Sequence, residues 1–310
     1  MTLGTLNRKW EKYGLIFTPD GTVEWMKTYA WVPVADHIKN DLYKIFFATR
    51  NQNNMSQVGY IVIDLNDPKN ILEISKEPVL SLGPLGAFDD SAVIPSCIVS
   101  YGNKKYLYYV GWMQGKRVPY YASIGLAISE DGGVHYKKIS LAPLLDRNNI
   151  DPYFTASLDV LIEKKWRMWY LTNTEWTIVK GEPQPRYHIK YAESDNGIDW
   201  RREGIVAIDF QSDKEYAIAR PRVIKENGIY RMWYSYRGDT YHIGYAESAD
   251  GIRWERKDRD AGIDVSKNGW DAAMIEYAFV LNHQGKKHMF YNGNEYGKEG
   301  IGYARLEEDF

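Results

Sequence analysis

Cysteine is nearly missing from this chain: one residue, Cys97, stands in 310. An intramolecular disulfide and a cysteine-based zinc cluster are therefore excluded. Cys97 lies in the apolar run AVIPSCIVS, the setting of a small buried hydrophobe rather than a nucleophile. Charge of one sign is missing too. The 39 basic and 41 acidic residues leave a formal net charge of −2, with no basic run. Nucleic acid and an acidic membrane surface are thus not expected partners. No apolar run approaches the roughly 18 residues of a membrane span. The first residues, MTLGTLNRKWEKYG, lack the apolar stretch of a secretion signal, so a soluble cytoplasmic protein is the expectation. Helical periodicity is nowhere convincing. No Gly-rich phosphate loop leads into a helix, no Gly-x-Ser-x-Gly elbow occurs, and no His/Asp/Glu spacing reads as a metal site. Neither a cofactor nor a metal is expected.

Aromatic residues are abundant instead: 25 Tyr, 11 Trp and 9 Phe. They could pack between sheets or stack on the apolar faces of sugar rings. Their arrangement is repetitive. Residues 189–200 read IKYAESDNGIDW, and residues 243–254 read IGYAESADGIRW. Each phrase is an alternating strand, a turn and a strand opening on Trp. Asn196-Gly197 and Asp250-Gly251 are strong hairpin signals. Weaker copies are IGLAISEDGGVHY from Ile124, IGYAR from Ile301 and VGYIVI from Val58. Before each copy comes a second recurrent strand (IFFATR, LYYVGW, RMWYLT, RMWYSYRG, HMFYNGN), and before that a third (WVPV, IPSCIV, SLDVLI, ARPRVI, YAFVL). The unit is a small antiparallel sheet occurring five times.

Repeated four-stranded sheets set radially make a β-propeller. The fold expected is all-β, a single five-bladed propeller over 1–310. Its blades fall at roughly 29–78, 92–142, 154–207, 217–258 and 274–306 plus 7–16. The fifth unit lacks its Trp-led fourth strand, and Trp10 to Ile16 resembles that strand. The N-terminal strand should therefore complete the last blade and close the ring. Glu193 and Glu247 then belong to architecture, and so do the recurrent His188 and His242.

In a propeller the first strands line a central channel, so chemistry is sought just before them. Asp89, Asp151 and Glu215 stand six residues before Pro95, Ser157 and Pro221, and Asp271 stands seven before Ala278. Asp90 neighbours the first of these, and Glu276, within the fifth unit's first strand, is a candidate for binding the substrate. Turn chemistry competes as the explanation of each acid alone. A ring of carboxylates over a channel would suit glycosidic bond cleavage, with one group as acid and another as base or nucleophile. Arg50, Arg220 and Arg237 lie inside or at the ends of strands. Either they pair with those acids or they receive a carboxylate or phosphate on a sugar. Trp112, Tyr236 and Asn292 follow second strands. They would form a stacking wall and a hydroxyl-binding group, or pack between blades.

The five IxYAxSxDGxxW-type repeats, over essentially the full length, resemble the five-bladed propeller glycosidases: the arabinanase/xylosidase-like, invertase-like and mannoside-phosphorylase-like families, and in particular glycosidase-like bacterial proteins of polysaccharide gene clusters. The resemblance implies a carbohydrate-active enzyme with catalytic carboxylates drawn from successive blades. In the hydrolase families the first is an Asp on the inner strand of blade one. Here that lead-in reads Trp25-Met26-Lys27-Thr28-Tyr29, with no acid in register, and Asp20 is displaced. Three functions remain open on this reading: glycosyl cleavage or transfer on a carbohydrate, including an anionic sugar; phosphorolysis or glycosyl transfer using phosphate or a nucleotide sugar; and glycan binding without turnover.

Overall fold

The computed structural model describes residues 9–306. Residues 7 and 8 of the expected N-terminal segment lie outside the described residues. The chain is almost entirely β-structure. β1 (Glu11–Phe17) is followed by β2 (Thr28–Lys39), β3 (Leu42–Arg50), β4 (Ser56–Asp64) and β5 (Asp67–Ile74), a consecutive antiparallel set of four. A second set is β6 (Ala92–Tyr101), β7 (Lys104–Gln114), β8 (Tyr120–Ser129) and β9 (Lys137–Lys138). The third is β10 (Thr155–Ile162), β11 (Trp166–Val179), β12 (Glu182–Ser194) and β13 (Trp200–Ile208). The fourth is β14 (Ala217–Glu226), β15 (Ile229–Arg237), β16 (Tyr241–Ser248) and β17 (Glu255–Arg256).

The fifth set is β18 (Glu276–His283), β19 (Lys286–Asn292) and β20 (Ile301–Leu306), and its outer strand is β1. Glu11 pairs with Arg305 and Phe17 with Ile301. Single parallel bridges, Ser56 with Ala92 and Tyr187 with Ala217, join the sets into continuous sheets of eight, eight and four strands. Among the described residues helix is confined to a 3-10 turn at Asp258–Ala261 and a single turn at Asn294–Gly297.

The repeated phrase shows why these residues fold this way. In β12 the Ser194 hydroxyl accepts from the Gly197 amide (2.9 Å), and Gly197 takes φ of +76°. Ser248 does the same for Gly251 (2.8 Å, φ +76°). A left-handed turn residue without Cβ is what this hairpin demands. Trp200 and Trp254 then donate from Nε1 to the Gly197 and Gly251 carbonyls (3.1 Å each). Their rings meet the preceding set, Trp200 against Tyr108 and Trp254 against Trp169. Glu193 and Glu247 accept from Tyr191 and Tyr245 of their own strands, at 2.8 and 2.6 Å. His188 and His242 hold Asp209 and Asp264. All are local architecture.

The core lies between neighbouring sets. Tyr108 and Leu126 pack with Leu158 and Met168; Trp169 packs with Met232 and Tyr234; Trp233 packs with Val280, Met289 and Trp10. A further cluster joins Ile45 and Phe47 to Leu107 on one side and to Phe279, Phe290 and Tyr303 on the other. Burial of each aliphatic or phenyl group contributes roughly 1.5–3 kcal/mol.

Candidate functional site

Each first strand carries a bulge where it pairs with its second strand, for example between Trp31 and Val34 and between Ala219 and Arg222. At these bulges Val32, Arg220 and Tyr277 hold φ near +55°. Such a backbone is costly for a residue with a side chain, and most of all for β-branched Val32. The freed amides are held by the neighbouring set. Asn292 Oδ1 accepts from the Val32 amide (2.8 Å), Ser157 Oγ from Arg220 (3.0 Å) and Ser235 Oγ from Tyr277 (2.8 Å).

The bulges turn residues of all five first strands toward one central cavity, among them Trp31, Pro95, Ala156, Arg220 and Tyr277. Its wall is aromatic. Trp112 and Tyr120 lie parallel, 4.6 Å apart at 9°. Trp31 stands edge-on to Trp112 at 5.8 Å. Phe154 and Trp176 pack on Tyr120. On the far side Tyr187 and Tyr241 share a 2.5 Å hydroxyl–hydroxyl hydrogen bond, and Tyr277 lies between Tyr241 and Trp31. This is a half-open bowl of ring faces.

Glu276, the first residue of β18 and paired in register with Asn292, immediately precedes the wall residue Tyr277 and is not itself among the residues that line the cavity. It is wholly buried, and among the described residues neither carboxyl oxygen has a hydrogen-bond partner. Burial pushes its carboxyl well above the usual carboxylate range, against the weaker pull of the Arg237 charge. An ionised carboxylate without a partner would be too costly here, so the side chain carries its proton. Burial also pushes the cavity tyrosines 187, 241 and 277 above the ordinary phenol range.

The other acids read from the sequence are placed elsewhere, and none of Asp89, Asp90, Asp151, Glu215 and Asp271 lines the cavity. Four of them anchor their own sheets. Asp89 accepts from Tyr109 Oη (3.1 Å) and pairs with Lys138 (2.5 Å). Asp151 accepts from Tyr170 Oη (2.9 Å) and pairs with Lys190 and Arg202 (3.0 Å each). Asp271 accepts from Tyr291 Oη (3.1 Å) and pairs with Lys12 (2.7 Å). Glu215 takes a bidentate pair from Arg256 (2.7 and 2.9 Å), while Tyr234 turns to Asp258. A lead-in acid, a second-strand tyrosine and a cation on or beside the fourth strand recur in this way. In the first set the tyrosine position is Phe47, which stacks near Phe17 and has no hydroxyl to offer. The missing acid of that set is matched by a missing phenol. Asp90 is tied to the Gly86 amide and the Ser91 hydroxyl.

The arginines do not pair with these acids. Arg220 is 1% exposed and spans toward other sets, donating to the carbonyls of Ser96 (2.5 Å) and Pro33 (3.0 Å). Burial pushes it down to about 10, and its Nε has no acceptor. It forms part of the cavity wall but spends two donor arms on backbone. Arg50 stacks on Tyr29 (4.2 Å) and Trp31 (5.1 Å). Arg237 donates to Tyr296 Oη (2.8 Å). Trp112 lines the cavity, parallel to Tyr120. Tyr236 instead packs with Arg256 and His242, away from the central cavity. Asn292 is fully committed to Val32, Ala30 and Gly300, so it pins the last set to the first and has no free amide group for a hydroxyl.

Most of the bowl escaped the sequence reading. Trp31, Tyr120, Phe154, Tyr187, Tyr241 and Tyr277 converge because of the bulges, which no residue pattern announces. A usable signal was the repeated Tyr-His-Ile that places Tyr187 within β12 and Tyr241 at the start of β16, with Tyr120 opening β8. Among the described residues no group of three or more His, Cys, Asp and Glu is arranged to hold a metal ion.

Comparison with known proteins places these features. No protein-family model matches the chain. An uncharacterised protein of Mycobacterium tuberculosis (strain ATCC 25618 / H37Rv), Rv1502, is 39% identical over 300 residues, covering 96% of this chain and 99% of its own. Among solved structures, a glycoside hydrolase superposes with a TM-score of 0.73 at 16% identity, over 97% of this chain and 94% of that one. A thermostable family-43 glycoside hydrolase gives 0.64 at 18% identity, over 91% of each chain. The likeness to these structures is one of fold: their architecture is that of the propeller glycosidases.

Proposed function

Because the chain belongs to the family of the Mycobacterium tuberculosis protein Rv1502 and shares the propeller glycosidase fold, we propose that it acts on a glycosyl ligand bound in the aromatic bowl, with Glu276 as the proton donor. The observation that carries this reading is the buried carboxyl of Glu276, without a hydrogen-bond partner among the described residues, directly before Tyr277 of the aromatic wall. Ring faces such as Trp112 and Tyr120 suit the apolar C–H faces of a sugar. A carboxyl that retains its proton at neutral pH suits protonation of a leaving glycosidic oxygen. The five strand sets are read as blades of one ring, closed where β1 joins β20 and Asn292 reaches Val32.

Asp89, Asp151, Glu215 and Asp271 are assigned to architecture, since each carboxylate is engaged by a cation of its own sheet or the adjoining loop. A second reading follows from the same placement. With Glu276 next to the wall and no carboxylate at ion-pair distance from Arg50 or Arg237 among the described residues, an anionic co-substrate or an anionic sugar would supply the negative charge. Phosphorolysis is then the alternative to hydrolysis. Sugar release from a panel of aryl glycosides, with and without inorganic phosphate, tests both. Glu276→Gln should lower kcat by about 10²–10⁴-fold while leaving ligand binding in place. Unchanged turnover in Glu276→Gln would sink the assignment.

A further inference from the structure

We propose that Arg237 is the centre of an oxyanion subsite at the edge of the aromatic bowl, receiving a carboxylate or phosphate group borne by the ligand. The proposal rests on the glycosyl reading of that bowl and specifies the chemistry it selects.

Arg237 ends β15 and is half-buried. Arg202 and Arg256, at comparable depth in the same molecule, each hold a buried acid. Arg237 has no carboxylate at ion-pair distance among the described residues. One Nη donates to a neutral phenol, Tyr296 (2.8 Å), and Nε is buried without an acceptor. Three rings surround the guanidinium: Tyr216 and Tyr241 at 5.3 Å and Tyr296 at 5.7 Å. Ring faces attract a cation but do not accept its in-plane N–H bonds. The fork of donors is therefore incompletely used, and it is the shape that carboxylate and phosphate oxygens match.

The segment bearing Tyr296 supports this. Glu295 and Tyr296 are successive non-glycine residues in the left-handed region, at φ +54° and +61°. Strain of this kind persists where surrounding structure imposes it, and it collects at ligand sites. The same segment packs against the bowl: a Cβ on Gly297 would lie 2.9 Å from Trp31 Cβ. Tyr296 also stands edge-on to Tyr241, which lines the cavity. The phenol thus occupies the position of an acceptor at Arg237. It can remain as a second donor to an incoming oxyanion, because its hydroxyl can reverse its role.

Isothermal titration of the full chain with D-glucuronate, inorganic phosphate and D-glucose tests the subsite. At least one anion should bind tenfold or more tightly than glucose, and added salt should weaken that preference. Arg237→Met should abolish the preference, Arg237→Lys should reduce it severalfold, and Tyr296→Phe should retain most of it. Tighter binding of phosphate than of glucuronate assigns the subsite to phosphate, and the reverse order to a sugar carboxylate. If neither anion outbinds glucose, or if the preference survives in Arg237→Met, the proposal fails. Should Arg237→Met not fold, a full preference retained in Arg237→Lys and in Arg237→Gln overturns it equally. Turnover of neutral aryl glycosides reports on Glu276 separately, so an inactive protein that still prefers anions contradicts the catalytic reading and not the subsite.

Discussion

Asp151 shows how one residue can mislead when only its neighbours in sequence are known. Its spacing from the first strand matches that of Asp89 and Glu215, and three carboxylates in one repeat register look like converging chemistry. In three dimensions the same repetition sends each acid back into its own sheet, because strand periodicity repeats the partner along with the acid. Tyr170, Lys190 and Arg202 surround Asp151, and its side chain is 0% exposed. Loss of one member of a buried pair leaves the others uncompensated. Asp151→Asn should therefore destabilise the fold by about 3 kcal/mol in denaturant titrations, with turnover per folded molecule unchanged. Glycine follows the same logic in the IGYA motif. A Cβ on Gly125 or Gly244 would come within 2.3 or 2.5 Å of the Tyr109 or Tyr234 ring. The motif's glycine makes room for the tyrosine of the second strand. Glu276 was visible in the sequence only as one acid among many. What distinguishes it is the lack of a hydrogen-bond partner among the described residues, a property that spacing does not encode.

At the scale of elements, the strands were legible. Alternation, Asn-Gly and Asp-Gly turns and the five-fold recurrence located first, second and third strands, and the Trp-led segment at residue 10 pointed to the last sheet. The structure pairs β1 with β20 and buries Trp10, whose indole donates to the Ala261 carbonyl (3.0 Å). Lys12 on the same strand supplies the cation for Asp271. Deletion of residues 1–16 would expose the edge of β20, remove the buried Trp10 and Ile16 from the core and leave Asp271 without its cation. Thermal unfolding of that truncation should show a melting temperature at least 10 °C lower or no cooperative transition. An unchanged melting temperature would remove β1 from the account of stability. The bulges of the first strands were not legible. They depend on side chains of adjacent sets, Asn292, Ser157 and Ser235, reaching amides far away in sequence.

For the whole molecule, the contact between the first and last sets joins two distant parts of the chain. It carries a histidine cluster. His283 bridges Asp41 (2.7 Å) and Tyr43 (3.1 Å), and its ring lies 6.2 Å from His288, whose Nδ1 meets Tyr303 Oη at 2.5 Å. Burial, then the His283 charge, pushes His288 down to about 4 from an ordinary value of 6.5. Native His288 is neutral, whereas the unfolded chain protonates it below 6.5. The stabilisation is complete above 6.5 and is lost as pH falls from 6.5 through 4, by up to about 3 kcal/mol. Melting temperature measured across that window should fall more steeply in the wild type than in His288→Gln. The same global arrangement brings five first strands to one cavity, with Glu276 buried directly before the wall residue Tyr277. The measurement that tests this central claim most directly is turnover of one responsive glycoside by Glu276→Gln and Asp151→Asn side by side, corrected for the folded fraction. The account predicts a loss of at least a hundredfold in Glu276→Gln and near-wild-type turnover in Asp151→Asn. The reverse order would contradict it.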